Sequence, residues 1–303
     1  DIVIEAIFDA AELKRSFYKD IAPTMIADAI ISTTTTSIAL EVLTRALAKP
    51  ERLVGLHLFY PVAMMQLVEV VKGASTSAAV SARAMAFTRK IDRLPLPVTS
   101  TPGFLVNRIL MPYLMEAVVL EAEGVPAVLI DRAATGFGMP MGPVQLADTV
   151  GLDICLHVAE ILADHFNAEI PERLRKLVKD GNLGRKSGRG FYEYKKGKAV
   201  KPKASAGNWN TEEITNRLVL RLLNESVSCL REQVVSEKDL LDAGMIFGTG
   251  FAPFRGGPMH HLDAVGAQAL YQQLETLKSL RGERFTPDPG WQALTNSLGE
   301  ETV

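Results

Sequence analysis

The residue types best suited to chemistry stand close together in one stretch, Gly55–Val71, which reads GLHLFYPVAMMQLVEVV. Its single imidazole is His57 and its single carboxylate is Glu69. An imidazole that is hydrogen-bonded to a carboxylate through one ring nitrogen keeps one tautomer, is stabilised as the imidazolium, and takes a proton at its other nitrogen. The two residues therefore predict a general base with its orienting acid.

Two short strands must bring these side chains together. Leu53–Tyr60 and Gln66–Val71 are apolar runs rich in β-branched and aromatic residues, each too short for a stable helix, and Pro61 begins their connector. Paired as an antiparallel hairpin, they set His57 directly opposite Glu69, with Cβ atoms roughly 4.5–5.5 Å apart. The spacing alone also fits an alternative in which His57 is a satisfied core residue and Glu69 marks a strand edge.

The composition is that of an ordinary globular protein. The 303 residues are 47% hydrophobic and 22% charged, which is enough for two or three domains with sizeable cores. A net charge of −2 without long basic runs argues against nucleic acid as a partner. Cys155 and Cys229 form no CxxC or Cys/His cluster, so we expect neither disulfides nor a metal site, and a reducing, cytoplasmic setting fits best. No apolar run reaches the roughly 18 residues of a membrane span, and no signal peptide is recognised.

Residues 1–100 alternate between strand and helix patterns. Besides the hairpin, the strand patterns are Asp1–Ile7, Ala29–Thr33 and Leu96–Thr99, and the helical ones are Ala10–Pro23, Ile38–Lys49 and Ser77–Ile91. This alternation predicts a mostly parallel sheet with crossover helices, made mixed by the hairpin. Ligands of such sheets lie beyond the carboxyl ends of the strands, where Asp9 and the run Thr33–Ser37 fall. Because the chain opens within a strand, we expect it to be a piece of something longer.

From Thr101 onward the pattern is helical, and one helical unit occurs twice. NRILMPYLMEAVVLEAEGV (Asn107–Val125) aligns without gaps on NRLVLRLLNESVSCLREQV (Asn216–Val234). FGMPMGPVQLADTVG and FGTGFAPFRGGPMHHLDAVG follow at matching places, with a five-residue insertion in the second. Between the copies, GRKSGRGFYEYKKGK and the residues up to Asn208 indicate a turn, a short extended piece and a linker.

The glycine pattern bears on nucleotide binding. A dinucleotide-binding sheet carries G-x-G-x-x-G between a strand and a helix, and this sequence contains none. The near misses start at Gly136, Gly184 and Gly248, and all follow helical segments, so we interpret them as turns between helices. Residues 1–100 are therefore predicted to form a sheet without its phosphate-binding half.

Several motifs resemble those of the L-3-hydroxyacyl-CoA dehydrogenases, and among them the dehydrogenase region of the multifunctional enzymes of fatty acid oxidation. The resemblance covers essentially the whole chain, and its specific marks are ERLVGLHLFYPV, QLVEVVKG, TPGFLVNRILMPYLMEAV, GFGMPMGPVQLADTVGLD and GRKSGRGFYEY. It implies a partial Rossmann-type α/β sheet, residues 1–100, followed by two repeated all-α C-terminal domains, residues 101–198 and 199–303.

The resemblance also implies a reaction, the NAD-dependent oxidation of a 3-hydroxyacyl-CoA to the 3-ketoacyl-CoA. Residue by residue, His57 falls on the catalytic base and Glu69 on its partner carboxylate. Asn107 falls on a residue that hydrogen-bonds the substrate oxygen. Asn216 holds the same place in the second unit, so a helix-start role is an alternative for both asparagines. Thr36 falls where the family usually has a serine that contacts substrate and cofactor.

The remaining positions carry departures from the family pattern. Asp9 falls on a usual glutamate and Lys14 on a lysine, both on the nicotinamide side of the cofactor. Tyr60 replaces an asparagine of the cofactor site, and His261 replaces a tyrosine associated with substrate in the second unit. The extra methyl group of Thr36 crowds the site, and the neighbouring Ser37 is an alternative source of the hydroxyl.

In this family the phosphate-binding glycines and an enoyl-CoA hydratase/isomerase domain lie upstream of the matched region. We therefore expect this chain alone to bind NAD weakly or not at all and to be inactive. The resemblance further implies acyl-CoA as substrate, a thiolase subunit as partner and a homo-oligomeric state. The alternative is a non-catalytic helical scaffold for dimerisation, subunit contact or acyl-CoA binding. A related β-hydroxyacid dehydrogenase fits less well, because that class usually relies on a lysine base.

Overall fold

The computed structural model describes residues 1–36, 38–166, 169–203 and 209–296. They belong to two compact units, one of Asp1–Arg108 with Glu232–Thr249 and one of Ile109–Arg231 with Gly250–Val303. Among the described residues, no helix has the length and apolar character needed to cross a bilayer. The compact units do not test where the predicted domains begin and end, so those boundaries stay predictions.

The first unit is built on a five-stranded sheet with the order β1-β2-β3-β4-β5. Its strands are β1 (Ile2–Glu5), β2 (Ile30–Thr33), β3 (Leu53–Leu58), β4 (Leu67–Lys72) and β5 (Leu94–Thr99). The helices that connect these strands are α1 (Ala11–Ile21), α2 (Leu40–Thr44) and α3 (Ala78–Lys90). Only β3 and β4 pair antiparallel, and the other neighbours are parallel. The predicted mixed sheet with a single hairpin is confirmed.

Apolar side chains on alternating strand positions hold this sheet against α3. Val54, Leu56, Val68 and Val70 form one buried cluster with Val80 and Ala84 of α3. The hairpin strands approach closely at Gly55, where an added Cβ would lie 2.7 Å from the Cβ of Val71. A side chain is excluded there, so glycine at this position lets the two strands pair in the observed register.

Several predicted elements are longer than the observed ones, and for two of them a local hydrogen bond gives the reason. The strand Asp1–Ile7 ends at Glu5, because the Glu5 carboxylate accepts a hydrogen bond from the Ile7 N–H at 2.8 Å, which takes that donor away from strand pairing. The helix Ile38–Lys49 is only α2, Leu40–Thr44. Its last residue, Thr44, donates its hydroxyl to the Glu41 carbonyl, the type of local bond that competes with helix continuation.

A helix from the second predicted repeat belongs to the sheet unit. Helix α4 comprises Val106–Ala122, and helix α10 comprises Lys238–Thr249. A Cβ at Gly244 of α10 would lie 2.8 Å from a methyl carbon of Leu96, and one at Gly248 would lie 3.0 Å from Val106. These glycines let α10 pack closely on β5 and on the start of α4.

The second unit is helical. Its helices are α5 (Ala127–Phe137), α6 (Pro143–Val150), α7 (Leu152–Phe166), α8 (Glu172–Lys179), α9 (Thr211–Arg231), α11 (Pro258–Val265), α12 (Ala267–Arg281) and α13 (Trp291–Asn296), besides most of α4, and its small hairpin is β6 (Glu193–Lys195) with β7 (Lys198–Val200). The glycine-rich loops at Gly136 and Gly248 connect helices, as predicted, rather than a strand to a helix.

Two buried aspartates join the GRKSGRGFYEY segment to the helices. Asp131 of α5 accepts the Val144 N–H at 2.9 Å, at the start of α6, and the Tyr192 hydroxyl at 2.7 Å. Asp148 of α6 accepts the N–H groups of Phe191 and Tyr192, both at 2.9 Å. Burial raises the pKa of both carboxyl groups, although their hydrogen bonds oppose that effect. The motif therefore has a structural role in this unit.

Replacing Gly184 by alanine is expected to destabilise this unit strongly. Gly184 has φ 87° and ψ −146°, a region that is essentially restricted to glycine, and an added Cβ would lie 2.3 Å from the Asp148 carbonyl oxygen. The backbone strain alone costs about 1–3 kcal/mol of unfolding free energy. Urea unfolding measures the loss of unfolding free energy. Gly181→Ala is the control, because Gly181 also has a positive φ but no atom lies within 4 Å of its added Cβ. Equal losses in the two variants would contradict the clash.

Candidate active site

The predicted imidazole–carboxylate pair is present in the hairpin. His57 on β3 and Glu69 on β4 are directly opposite partners of the antiparallel ladder. Nδ1 of His57 lies 2.5 Å from Oε2 of Glu69. The exposed fractions of the two residues are 3% and 0%. The predicted register is confirmed, and the geometry leaves Nε2 as the nitrogen that can exchange a proton.

Glu69 has a second set of contacts that the sequence analysis missed. Its Oε1 accepts the backbone N–H groups of Leu105 at 3.0 Å and Val106 at 2.9 Å. The first N–H groups of a helix have no intrahelical acceptor, and a negative charge at that end is favourable. One buried carboxylate therefore orients His57 and anchors the start of α4, whose second residue is Asn107.

Aromatic rings surround the imidazole. The ring centroids of Phe59 and Phe104 lie 4.5 and 5.8 Å from that of His57. Apolar rings displace water, and a hydrogen bond is electrostatically stronger in such surroundings than in water. The rings therefore strengthen the His57–Glu69 interaction.

Three other predicted site residues are joined by hydrogen bonds. Oδ2 of Asp9 accepts both the backbone N–H and the hydroxyl of Thr36, each at 3.0 Å. Nδ2 of Asn107 donates to the Thr36 carbonyl oxygen at 3.0 Å. These residues lie beyond the carboxyl ends of β1 and β2, where the sequence analysis placed a ligand site. The Oδ1 atom of Asp9 is buried and has no hydrogen-bond partner within the described ranges.

A buried carboxylate, Glu5, organises the neighbourhood of Lys14. Its oxygens accept hydrogen bonds from the Lys14 ammonium at 2.7 Å, the Tyr18 hydroxyl at 2.8 Å and the Thr33 hydroxyl at 3.0 Å. Burial raises the pKa of Tyr18, so its hydroxyl remains a donor. Lys14 is only 1% exposed, and its Nζ also lies 3.7 Å from Asp9. The sequence analysis missed Glu5, although an acid at the end of the apolar strand IVIE was a signal.

The other predicted site residues have different surroundings. The side chain of Tyr60 is 89% exposed on the β3–β4 connector. His261 lies in the helical unit with its ring 5.1 Å from that of Phe137, and burial, with the nearby Arg255 charge, lowers its pKa. Ser37 lies outside the described residues. Asn216 lies inside α9, at its sixth residue, so the alternative that both asparagines mark helix starts is wrong.

The fold and the buried pair define a class, a Rossmann-like α/β domain followed by helical C-terminal structure. The model of the 3-hydroxyacyl-CoA dehydrogenase NAD binding domain matches residues 1–101. The model of the 3-hydroxyacyl-CoA dehydrogenase C-terminal domain matches residues 103–194 and 214–301. The chain belongs to the 3-hydroxyacyl-CoA dehydrogenase family.

Individual relatives agree with this membership. The fatty acid oxidation complex subunit alpha of Shewanella baltica is 39% identical over 302 residues, which cover 95% of this chain and 42% of that protein. The 3-hydroxybutyryl-CoA dehydrogenase structure from Escherichia coli has a TM-score of 0.86 at 25% identity, over 99% of this chain and 82% of that one. The dehydrogenase part of multifunctional enzyme 1 from C. elegans has a TM-score of 0.66 at 26% identity, over 97% and 71%. The chain spans less than half the length of the curated relative.

Proposed function

We propose that the protein to which this chain belongs performs the NAD-dependent oxidation of L-3-hydroxyacyl-CoA to 3-ketoacyl-CoA in fatty acid oxidation. In this proposal the chain supplies the catalytic pair, and the 303-residue polypeptide is inactive by itself. The observation that carries the proposal is the buried contact of 2.5 Å between His57 and Glu69. A pure scaffold gains nothing from a charged pair in its sheet, because burying charged groups is unfavourable. A base that must take a proton during the reaction gains an orienting acid.

His57 would take the proton of the 3-hydroxyl group at Nε2. Glu69 would accept the Nδ1–H hydrogen bond and balance the imidazolium charge. General-base catalysis of this kind contributes roughly 10²–10⁴-fold to the rate.

The amide of Asn107 can stabilise the substrate oxygen as that oxygen becomes a carbonyl. One N–H of its amide is used on the Thr36 carbonyl, and the amide has a second N–H to donate. The Thr36 hydroxyl donates to Asp9, and a hydroxyl can rotate to another acceptor. The single proton of the substrate hydroxyl goes to His57, so we infer that Asn107 and Thr36 both donate to the substrate oxygen as it becomes a carbonyl. His261, which the family resemblance associates with substrate, is part of this proposal as a substrate-binding residue.

The residues present fit the nicotinamide end of NAD. Oδ1 of Asp9 is a buried acceptor that has no hydrogen-bond donor among the described residues and lies 3.7 Å from the Lys14 ammonium, and a carboxamide NH₂ would supply such a donor. Lys14 lies beside Asp9 and fixes its position, while Tyr60 offers an exposed ring and hydroxyl. Bound NAD supplies the acceptor for the hydride, and the protein supplies orientation and electrostatics.

NADH formation by the natural full-length protein tests the proposal. The protein is incubated with NAD and L-3-hydroxyacyl-CoAs of several chain lengths, and with the D enantiomers as controls. We expect NADH only from the L series. No NADH from any chain length would overturn the proposed function.

Reciprocal ion pairs support two copies of one helical unit. Arg108 pairs with Glu232 at 2.7 Å, and Arg217 pairs with Glu123 at 2.6 Å. Arg108 and Arg217 occupy the same place in the two aligned segments, as do Glu123 and Glu232. Each arginine thus pairs with the glutamate of the other segment. We propose that residues 101–198 and 199–303 are repeated domains whose first helices pair reciprocally.

The 303-residue polypeptide by itself is expected to bind NAD weakly. Pyrophosphate recognition in this fold class uses a G-x-G-x-x-G turn at a helix N-terminus, and the sequence has no such turn. Isothermal titration with NAD measures the affinity, and the natural full-length protein is the control. Circular dichroism checks that the polypeptide is folded. Micromolar binding by the polypeptide would contradict this expectation.

The alternative function is non-catalytic, namely acyl-CoA binding or subunit contact by a helical scaffold. The missing glycine turn favours this alternative for the polypeptide alone.

A thiolase subunit as partner, a homo-oligomer and a cytoplasmic location also belong to our proposal. The name of the Shewanella baltica relative, a complex subunit, supports a partner subunit. Acyl-CoA binding without NADH formation by the full-length protein would favour the scaffold.

A further inference from the structure

Five consecutive exposed residues, Tyr60–Met64, form the connector between β3 and β4. The side chains of Tyr60, Val62 and Met64 are 89%, 48% and 78% exposed. Single exposed apolar residues are common on protein surfaces, whereas clusters of them mark interaction sites. This turn carries three exposed apolar side chains close together in the sequence.

The backbone of the turn is held in place. The N–H groups of Met64 and Met65 donate to the Pro61 carbonyl at 2.9 and 3.0 Å. The Arg93 guanidinium donates to the Val62 carbonyl at 3.3 Å. The apolar side chains therefore project from a fixed loop, which reduces the entropy lost when they bind.

A second apolar segment lies beside the turn. The Leu94 N–H donates to the Gln66 carbonyl at 2.8 Å, at the point where β4 and β5 begin. Ile91 and Leu94 are each 42% exposed. Together Val62, Met64, Ile91 and Leu94 form what we call the apolar tip. Tyr60 is left out of it, because the proposed function places Tyr60 at the cofactor.

The charges next to the apolar tip are mostly positive. Arg89 and Lys90 are exposed at the end of α3, and Arg93 follows in the same segment. Asp92 is the single acid within residues 89–94. Exposed apolar side chains flanked by basic ones are typical of surfaces that lie on anionic membranes.

We propose that the apolar tip and its basic neighbours bind peripherally to an anionic lipid bilayer. Val62, Met64, Ile91 and Leu94 enter the boundary between headgroups and acyl chains. Arg89, Lys90 and Arg93 contact the lipid phosphates. This role goes beyond the proposed dehydrogenase function and does not depend on it.

Sedimentation of the natural full-length protein with vesicles tests the proposal. Phosphatidylcholine vesicles containing phosphatidylglycerol are compared with pure phosphatidylcholine vesicles. We expect binding to the anionic vesicles only, and weaker binding at high salt. The double variant Arg89→Gln, Lys90→Gln is expected to lower the partition coefficient roughly 30-fold, because each basic residue near an anionic membrane raises that coefficient by a factor of roughly five. Met64→Glu is expected to lower it roughly tenfold or more.

The matched control is Leu280→Glu on α12. Leu280 is 70% exposed, similar to Met64, and is not part of the apolar tip. Thermal unfolding checks that each variant is folded. Equal losses for Met64→Glu and Leu280→Glu would overturn the proposal, as would equal binding to neutral and anionic vesicles or no binding. NADH formation is measured separately, so failure here leaves the dehydrogenase assignment untouched.

Discussion

Replacement of His57 by glutamine is expected to lower kcat for L-3-hydroxyacyl-CoA oxidation by roughly 10²–10⁴-fold. Glutamine can still donate a hydrogen bond to Glu69, but its amide cannot take the proton of the substrate hydroxyl. The fold should survive, because the side chain remains polar and keeps a donor for the buried carboxylate. Initial rates of NADH formation by the natural full-length protein measure the effect.

His157 supplies the matched control for this substitution. It lies on α7, and its side chain is exposed. His157→Gln should leave kcat and KM unchanged, because that imidazole has no place in the proposed site. If His57→Gln retained more than about a tenth of the wild-type kcat, His57 would not be the general base.

Replacement of Glu69 by glutamine is expected to lower kcat by roughly 10² or more while leaving the fold nearly intact. The amide oxygen can still accept the N–H groups of Leu105 and Val106, whereas the amide NH₂ would face Nδ1 of His57. Nδ1 must then act as acceptor, so the proton moves to Nε2. The nitrogen meant to take the substrate proton becomes a donor, and the base is lost.

Replacement of Glu69 by alanine separates the two roles of this carboxylate. Alanine leaves the N–H groups of Leu105 and Val106 buried without their acceptor, which costs about 1–3 kcal/mol each. Urea unfolding should therefore show a clear loss of stability for Glu69→Ala and a small one for Glu69→Gln, while both variants lose turnover. Full activity of Glu69→Gln would refute the orienting role, and equal stability of the two variants would refute the anchoring of α4.

The hairpin shows how much of the fold and the site the local sequence pattern can predict. Strand side chains alternate between faces, so the apolar runs on either side of Pro61 restrict the register in which both runs bury the same face. That register places His57 opposite Glu69, as observed. The prediction of Ile38–Lys49 as a helix was wrong in length, because the apolar spacing carried no information about the hydroxyl of Thr44.

Contacts between residues that are distant in the sequence could not be predicted from the local sequence pattern. Glu69 and Leu105 are 36 residues apart, and nothing in their neighbouring residues indicates that one caps the helix that begins beside the other. The same holds for Glu5 and Lys14, where burial turns a strand-end acid and a helical lysine into an ion pair of 2.7 Å. The surroundings of Asp131 and Asp148 likewise depend on how helices and loop pack.

The sequence by itself determined the mixed sheet, the opposed His57 and Glu69, and the placing of the glycine turns between helices, because each follows from side-chain periodicity or backbone chemistry over a few residues. Only the tertiary structure decided that Glu69 also anchors α4, that Asp9, Thr36 and Asn107 share one network, and that α10 joins the sheet unit. The physical reason is that these depend on which surfaces pack together, and packing is decided by the whole chain.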